Sequence, residues 1–375
     1  MKRMISLFIV AGVLLIMMPT AFAVGTSASA AILLEWGSGR VLYEKNAHQP
    51  REIASITKLM TALVALESGH DLLETVTIDS AWTGIEGSSI YLKPGETVSL
   101  ETLLYGMMLR SGNDAALASA GYCGGTVEQF VAQMNRRAKG LGMVNTSFAN
   151  PHGLNAENHY STAYDMALLA SACLKNGTLA DIVSTKTITL GTRTFTNHNK
   201  LLWRFDGCIG LKTGYTEKAG RTLVSAARRD GMTLICVTLN APDDWNDHEK
   251  LFEYGFSEYK VVRAGGEGVV CRIPTKDSLL SFCFAEVETE TGLCVKRNEQ
   301  VERVIRLSSN IVYAPVTEGQ VVGQAIYRSG EQELCRLPLV AKENIKKDAA
   351  EKNGRWQSIF SEMREGAPWK SGCKN

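Results

Sequence analysis

The sequence predicts a mixed α/β (α+β) domain followed by a small all-β domain. Between about residues 31 and 260, strand-like segments lie at both ends and helical periodicity occupies the middle. From 261 to 340 that periodicity disappears, and short β-rich runs alternate with charged turns. We therefore expect one sheet that joins the first and last segments of residues 31–260, and a separate β-rich domain over 261–340.

The order of elements in the first domain follows from its apolar pattern. It is expected to open with two strands joined at Gly37-Ser38-Gly39, followed by a buried helix that starts at Ser55 and by short strands and loops over 75–98. Further helices are predicted at about 99–110, 114–122, 126–138, 161–175 and 244–255. Strands are expected between Thr185 and the last of these helices.

Capping residues support two of these helices. Thr126 and Gln129 form a capping-box pattern at the start of the helix at 126–138. Ser161 or Thr162 is a candidate cap for the following helix, and Asn176-Gly177 is expected to end it.

The first 23 residues have the features of a secretory signal peptide. Lys2 and Arg3 precede an apolar run, and a small-x-small cleavage pattern ends at Ala23. An uncleaved membrane anchor is the alternative, but the apolar run is shorter than the roughly 20 residues that a spanning helix needs. We therefore expect the mature chain to be exported and to act outside the cytoplasm.

The bulk composition excludes some classes of protein. A formal net charge of +1 argues against a strongly basic nucleic-acid-binding surface. The nine cysteines are an odd number and include no Cys-x-x-Cys pair, so a zinc ribbon or a redox motif is not expected. Because most of them lie in apolar stretches, we predict no essential disulfide.

The tail at 341–375 carries eight basic and five acidic residues. Within it, Trp356, Ile359, Phe360 and Met363 form an apolar stripe at helical spacing. Such an amphipathic helix lies on a membrane surface, docks on the protein, or frays as a terminus, and the sequence leaves these alternatives open.

Ser55 and Lys58 lie three residues apart, on one face of the first turn of the buried helix. A serine hydroxyl is a weak nucleophile unless a neighbouring base takes its proton, and only a neutral amine can do so. Burial lowers the pKa of a lysine, and so does a second cation nearby. We therefore expect Lys58 to be buried in order to act as the base; a lysine that snorkels to solvent is the alternative.

Two further short motifs follow in order along the chain. Ser111-Gly112-Asn113 is predicted in a turn between two helices, and Lys212-Thr213-Gly214 on a strand. The first two patterns are common, since Ser257–Lys260 repeats the first spacing and Ser308–Asn310 repeats the second. The order of the three motifs, with the local structure predicted around each, makes the set specific.

This ordered trio resembles the serine penicillin-recognising enzymes, above all the low-molecular-mass penicillin-binding proteins that are serine-type D-alanyl-D-alanine carboxypeptidases of peptidase type S11. The resemblance covers nearly all of the mature chain, including the segments NPHGLNAENHYSTAYDMALLA, NHNKLLW and GLKTGYTEKAGRTLVSAA. It implies a β-lactamase-like transpeptidase domain, then a small all-β domain and a C-terminal amphipathic helix.

The resemblance also implies catalytic roles for the first two motifs. Ser55 would be the nucleophile and Lys58 its base. Ser111 would relay a proton to the leaving group, and Asn113 would hydrogen-bond the backbone amide of the substrate. Helix capping is the structural alternative for Ser111 and Asn113, and the two roles are compatible.

The third motif would bind the substrate. Lys212 would be the second cation beside Lys58, and with Thr213 it would bind the terminal carboxylate. Gly214 has no side chain to obstruct a substrate that lies along the strand. The backbone N–H groups of Ser55 and Tyr215 would form the oxyanion hole.

Two positions depart from the family pattern. His198 lies between two asparagines where the family often has arginine, and a neutral histidine there would give a substrate carboxylate less electrostatic help. Near the closing helix, where some members carry another arginine, the sequence reads Trp-Asn-Asp-His over 245–248. These departures concern substrate preference and rate.

Three alternatives to a carboxypeptidase fit the sequence less well. A β-lactamase would need a glutamate for deacylation between the second and third motifs, and Glu157 does not fit that pattern. A non-catalytic sensor or wall-binding module would usually lack a motif residue. A metal-dependent peptidase would need ligands, and the spacing of His152 and His159 is not a recognised zinc pattern.

The sequence therefore predicts an exported D,D-carboxypeptidase of cell-wall metabolism. Its substrates would be peptidoglycan stem peptides ending in D-Ala-D-Ala, and β-lactam antibiotics would acylate Ser55. Removal of the terminal D-alanine would limit cross-linking. No metal or organic cofactor is expected.

Overall fold

The computed structural model describes residues 24–348, so the predicted signal peptide and the apolar stripe of the tail lie outside the described residues. The chain forms two compact units that divide between Glu258 and Tyr259.

The first unit contains nine strands and eight α-helices within its described residues. The strands are β1 Ala30–Glu35, β2 Val41–Lys45, β3 Thr75–Thr77, β4 Thr97–Ser99, β5 Thr187–Leu190, β6 Arg193–Thr196, β7 Cys208–Thr216, β8 Gly220–Arg229 and β9 Met232–Leu239. The helices are α1 Lys58–Leu66, α2 Leu100–Leu109, α3 Asn113–Gly124, α4 Val127–Gly140, α5 Ala163–Lys175, α6 Gly177–Ser184, α7 Leu201–Arg204 and α8 Asp244–Glu258. Short 3₁₀ turns span Ala54–Thr57 and Ser80–Trp82.

A five-stranded antiparallel sheet in the order β2-β1-β9-β8-β7 forms the centre of this unit. Strand β1 pairs with β9 in a register that sets Ala30 opposite Leu239 and Glu35 opposite Leu234. The predicted union of the first and last segments in one sheet is thus confirmed.

Both faces of the sheet are covered. Every residue of β9 is buried, which is typical of a strand packed on both sides. Ile235 and Val237 point into the core formed with the helices that follow β2. Leu234 points to the other face, where α8 comes so close that a Cβ on Gly255 would lie 2.5 Å from Leu234 Cδ1.

The predicted caps explain where two helices begin. Thr126 Oγ1 accepts the Gln129 N–H at 3.1 Å, and Thr162 Oγ1 accepts the Asp165 N–H at 3.0 Å, so Thr126 and Thr162 are confirmed as N-caps. Asn176 ends α5 as expected, but its side chain also accepts the Leu179 N–H at 3.0 Å. The same residue therefore caps α6, a helix that the sequence analysis did not predict.

The described part of the second unit is all-β, as predicted. Its strands are β10 Tyr259–Ala264, β11 Val269–Lys276, β12 Phe282–Glu286, β13 Thr291–Lys296, β14 Glu302–Leu307, β15 Val312–Tyr313, β16 Val321–Ser329 and β17 Gln332–Ala341. Strands β10 and β13 pair with each other, and the others form one sheet in the order β14-β16-β17-β12-β11-β15. A separate apolar core, which includes Ile273, Ala325 and Leu339, supports this unit.

Within residues 24–348, no single helix is both long enough and apolar enough to cross a membrane. Helices α5 and α6 meet that test of length and composition only when taken together, and they are bent by 104°.

Candidate active site

Ser55 lies on the 3₁₀ turn that runs directly into α1, so the predicted helix begins as a tighter turn. The preceding residue, Ala54, has a φ of 49°, a region that residues with a Cβ rarely adopt. The backbone of Gly153 lies so close to the Ala54 carbonyl that a side chain on residue 153 would overlap the carbonyl oxygen of Ala54. Ser55 is therefore held by a strained turn and by a glycine packed against that turn.

Lys58 is fully buried and makes three polar contacts. Its Nζ lies 2.9 Å from Ser55 Oγ, 2.7 Å from Asn113 Oδ1 and 2.6 Å from the carbonyl oxygen of His152. The first contact confirms that Lys58 can reach the serine. The snorkelling alternative is wrong, because the amine points inward and not to solvent.

The environment of Lys58 disfavours its charged form. Burial lowers the pKa of its amine well below the ordinary lysine value, and the nearby Lys212 cation lowers it further. The Asp114 carboxylate acts in the opposite direction but does not outweigh them. A lysine in these surroundings can act as a proton acceptor.

The second motif joins α2 to α3. Ser111 is 6 % exposed and adopts a φ of 63° in the turn. The N-cap of α3 is Gly112, which has no side chain, so the helix-capping alternative does not describe Ser111 or Asn113. The Asn113 Nδ2 instead donates to the Glu86 carbonyl at 2.7 Å, which leaves Oδ1 directed at Lys58.

Asp114 fixes the loop beside this motif, a role that the sequence analysis missed. Its carboxylate accepts hydrogen bonds from the Ser89 hydroxyl at 2.6 Å and from the backbone N–H groups of Ile90 and Leu92 at 3.0 Å each. An acidic residue that follows Ser-x-Asn could have been suspected of this role. Its partners lie more than twenty residues earlier and could not have been identified from spacing.

The third motif lies on β7, as predicted. Lys212 is 1 % exposed, and its Nζ donates to the Thr213 carbonyl at 2.9 Å. A Cβ on Gly214 would lie 2.9 Å from Ser55 N and would overlap the Thr222 hydroxyl. The strand can approach the backbone of Ser55 only because residue 214 is glycine. Tyr215 follows at the surface.

Burial also shifts the pKa of Lys212, to about 7. The imidazole of His198 remains in contact with solvent. Its partial desolvation nevertheless lowers its pKa to about 4, and the positive charges of Lys212 and Arg110 act in the same direction. His198 is therefore neutral near pH 7, in line with the reduced electrostatic help expected at this position.

The segment before α5 supplies backbone groups to the site. Besides the His152 carbonyl on Lys58, the Pro151 carbonyl accepts the Thr61 hydroxyl at 2.6 Å. No motif can indicate such contacts, because any residue offers a carbonyl. The His152 side chain also orders this loop, because its Nδ1 accepts the Leu154 N–H at 3.2 Å.

A metal-dependent peptidase would need a group of metal-binding side chains. Among residues 24–348, no group of three or more His, Cys, Asp or Glu side chains is arranged to hold a metal ion.

The second departure from the family pattern lies on α8. Its His248 is buried, within 2.9 Å of the Thr238 hydroxyl, and Asp247 accepts the Ser27 hydroxyl at 2.6 Å. These contacts join α8 to the sheet and to the chain that precedes β1.

The three motifs thus meet around one serine. A family model described as D-alanyl-D-alanine carboxypeptidase (Peptidase_S11) matches residues 18–243. The chain belongs to this family. A second family model, described as the C-terminal domain of penicillin-binding protein 5, matches residues 288–347 in the all-β unit.

Relatives in this family match most of the chain. D-alanyl-D-alanine carboxypeptidase DacF of Bacillus subtilis is 33% identical over 372 residues, which cover 92% of this chain and 95% of that protein. DacC of Escherichia coli is 35% identical over 358 residues, with 87% and 88% covered. Penicillin binding protein 5 of Haemophilus influenzae has a similar structure, with a TM-score of 0.76 at 28% identity, covering 86% of this chain and 98% of that one. The predicted family is confirmed, and so is the fold class of an α/β domain followed by an all-β domain; the predicted C-terminal helix lies outside the described residues.

Proposed function

We propose that this chain is a serine-type D-Ala-D-Ala carboxypeptidase that removes the terminal D-alanine from peptidoglycan stem peptides. The observation that carries the proposal is the fully buried Lys58 amine, 2.9 Å from Ser55 Oγ. β-Lactam antibiotics would acylate the same serine. The family and the names of its relatives support this substrate class.

Acylation begins when the neutral Lys58 amine takes the Ser55 hydroxyl proton. The oxygen bonds to the carbonyl carbon of the penultimate D-alanine, and the carbonyl π electrons move to its oxygen. The intermediate collapses as the peptide C–N bond breaks, and the proton from Lys58 passes through Ser111 to the leaving nitrogen. D-Alanine departs and an ester on Ser55 remains.

Deacylation repeats these steps with water. Lys58 takes a proton from the water as its oxygen attacks the ester carbon, and the proton returns to Ser55 when the C–Oγ bond breaks. The shortened peptide leaves as an acid. A β-lactamase would complete this step rapidly on a drug ester, and the turnover of penicillin separates the two activities.

The other predicted site residues would bind and orient the substrate. Asn113 would accept or donate a hydrogen bond at the peptide backbone, next to the Lys58 amine that its Oδ1 contacts. Lys212 and Thr213 would bind the terminal carboxylate, with neutral His198 at the edge. The N–H groups of Ser55 and Tyr215 would stabilise the oxyanion.

We also propose that the enzyme works outside the cytoplasm, where its substrate is exposed. The signal-peptide pattern of residues 1–23 supports export, and the apolar stripe of the tail is a candidate for peripheral membrane binding. Both segments lie outside the described residues.

The first test is D-alanine release from a peptide that ends in D-Ala-D-Ala. Wild type is expected to release D-alanine, and Ser55→Ala is expected to lose the activity because no nucleophile remains. Ser257→Ala is the matched control, since Ser257 and Lys260 repeat the motif spacing in another setting. Mass spectrometry after penicillin treatment should show one adduct, absent only in Ser55→Ala.

Release by Ser55→Ala at the wild-type rate would remove the serine from the chemistry and reopen the metal-peptidase alternative. A wild-type protein that binds penicillin but releases no D-alanine would favour the alternative of a non-catalytic sensor or wall-binding module. Rapid penicillin turnover would favour the β-lactamase.

The pH profile tests the role of Lys212. Because the pKa of this amine is about 7, the free enzyme loses its ammonium as the pH rises above that value. We expect kcat/KM for the carboxylate substrate to fall about tenfold per pH unit on this alkaline side. On the acidic side, activity is lost when Lys58 becomes protonated, since the charged amine cannot accept a proton.

Lys212→Arg provides the control for this profile, because a guanidinium stays charged across the range. The alkaline fall in kcat/KM is expected to disappear in the variant, even if its maximum is lower. The same alkaline fall in Lys212→Arg would contradict the assignment to Lys212.

A further inference from the structure

The strained residue Ala54 is held by a chain of hydrogen bonds that the mechanism above does not use. Thr57 is fully buried, and its hydroxyl donates to the Ala54 carbonyl at 2.8 Å. The same hydroxyl lies 2.8 Å from His159 Nε2. His159 Nδ1 in turn lies 3.0 Å from the backbone nitrogen of Ala149.

The hydrogen atoms in this chain can be assigned by counting donors. The Ala149 N–H can only donate, so Nδ1 of His159 accepts and Nε2 carries the ring proton. A hydroxyl has one hydrogen, and because Thr57 gives it to Ala54, its oxygen accepts from Nε2. Every group is then satisfied in one arrangement, which requires a neutral histidine.

The surroundings keep His159 neutral. The side chain is 5 % exposed, and burial is the main cause that lowers its pKa to about 4. A doubly protonated ring would direct a second N–H at the Ala149 N–H and break the chain.

The orientation of the Ala54 carbonyl sets the direction of a catalytic group. In a planar trans peptide, the C=O of one residue and the N–H of the next point in opposite directions. A fixed Ala54 oxygen therefore fixes the N–H of Ser55, which is the proposed oxyanion donor. Gly153 packs on the same oxygen, and Gly214 approaches the same nitrogen from β7.

We propose that Thr57 and His159 are positioning residues that aim the Ser55 N–H at the developing oxyanion. This inference rests on the proposed function and extends it to residues outside the three motifs. Neither side chain touches the reacting atoms. Their effect is therefore expected on the acylation rate and not on the initial binding of the ligand.

The test compares penicillin acylation in matched variants under single-turnover conditions, which separate the noncovalent dissociation constant from the acylation rate. Thr57→Val keeps the volume but removes the hydroxyl, and its acylation rate is expected to fall about 10²-fold, near the lower end of the cost of losing an oxyanion donor. Thr57→Ser restores the hydroxyl and should remain within about threefold of wild type on the same scale. The dissociation constant should be unchanged in both.

His159 is tested in the same way. The glutamine side chain in His159→Gln offers both a hydrogen-bond donor and an acceptor, whereas the leucine in His159→Leu offers neither. His159→Gln is therefore expected to retain more activity. Because both residues act through one chain, Thr57→Val with His159→Leu should lose no more than the larger single effect. Melting temperatures identify a variant that fails to fold, and Thr57→Ala then replaces Thr57→Val.

Two results would overturn the inference while leaving the proposed function intact. One is a Thr57→Val enzyme that acylates at the wild-type rate. The other is a fully additive double variant, which would mean that the residues act separately. A wild-type protein that neither reacts with penicillin nor releases D-alanine would instead contradict the proposed function itself.

Discussion

Replacing Lys58 with arginine is expected to reduce the acylation rate by about 10³-fold, within the range attributed to a positioned general base. Arginine places a permanent cation near Ser55, and its guanidinium cannot accept a proton from the serine at working pH. Lys58→Met removes the amine at similar volume and is expected to lose as much activity. The measurement is the rate of labelling by a fluorescent penicillin, together with D-alanine release.

Lys260→Met is the matched control, because Lys260 holds the corresponding place in the second Ser-x-x-Lys pattern. It should acylate as wild type does. If Lys58→Arg kept a substantial part of the wild-type rate, the amine would serve as a charge and not as a base, and the proton would have to leave Ser55 by another route.

Gly153→Ala is expected to lower both stability and activity. The new methyl group would overlap the Ala54 carbonyl oxygen and lie 3.0 Å from Ser55 N, and the backbone φ of +91° is itself unfavourable for alanine. We expect a loss of about 2–4 kcal/mol in unfolding free energy from overpacking and strain. If the turn shifts by about 1 Å, the acylation rate should fall about 10²-fold.

Gly142→Ala separates the cost of the positive φ from the cost of the overlap with Ala54. Gly142 also has a positive φ, +78°, but a Cβ there meets nothing within 4 Å. This control should lose only about 1 kcal/mol of unfolding free energy, the cost of the backbone conformation, and its acylation rate should equal that of wild type. Equal losses in unfolding free energy for both variants would show that the overlap with Ala54 has no effect. Wild-type acylation by a folded Gly153→Ala enzyme would contradict the tight coupling between this glycine and the nucleophile.

The sequence predicted contacts best where both contacting residues lie in one short motif. Ser55 and Lys58 are one helical turn apart, so their contact follows from local geometry. The contacts of Asn113 and Gly214 with this pair depend on strands and helices far along the chain, and only the family resemblance brought them together. Thr57, His159 and Gly153 were not predicted as site residues, because they act through a backbone carbonyl that no side-chain pattern records.

The fold was predicted in the same uneven way. Capped helices such as α4 were identified with nearly correct ends, and long apolar strands such as β9 lie in the region where strands were expected. Helix α6 was missed because Asn176 was taken only as a stop signal, although the same side chain also starts a helix. Strands β10 and β13 were not identified individually, because they pair across the segment between Ala264 and Thr291, a separation at which local patterns carry no pairing information.

The pairing of β1 with β9 limits how early during synthesis of the chain the site can be assembled. The strand at Ala30–Glu35 completes its hydrogen bonds only with Met232–Leu239, and the strand that carries Lys212 is attached through β8 to that late partner. A chain that emerges from a ribosome or a translocation channel presents Ser55 long before these strands. The proposed nucleophile is therefore without its second cation until nearly the whole first unit has been synthesised.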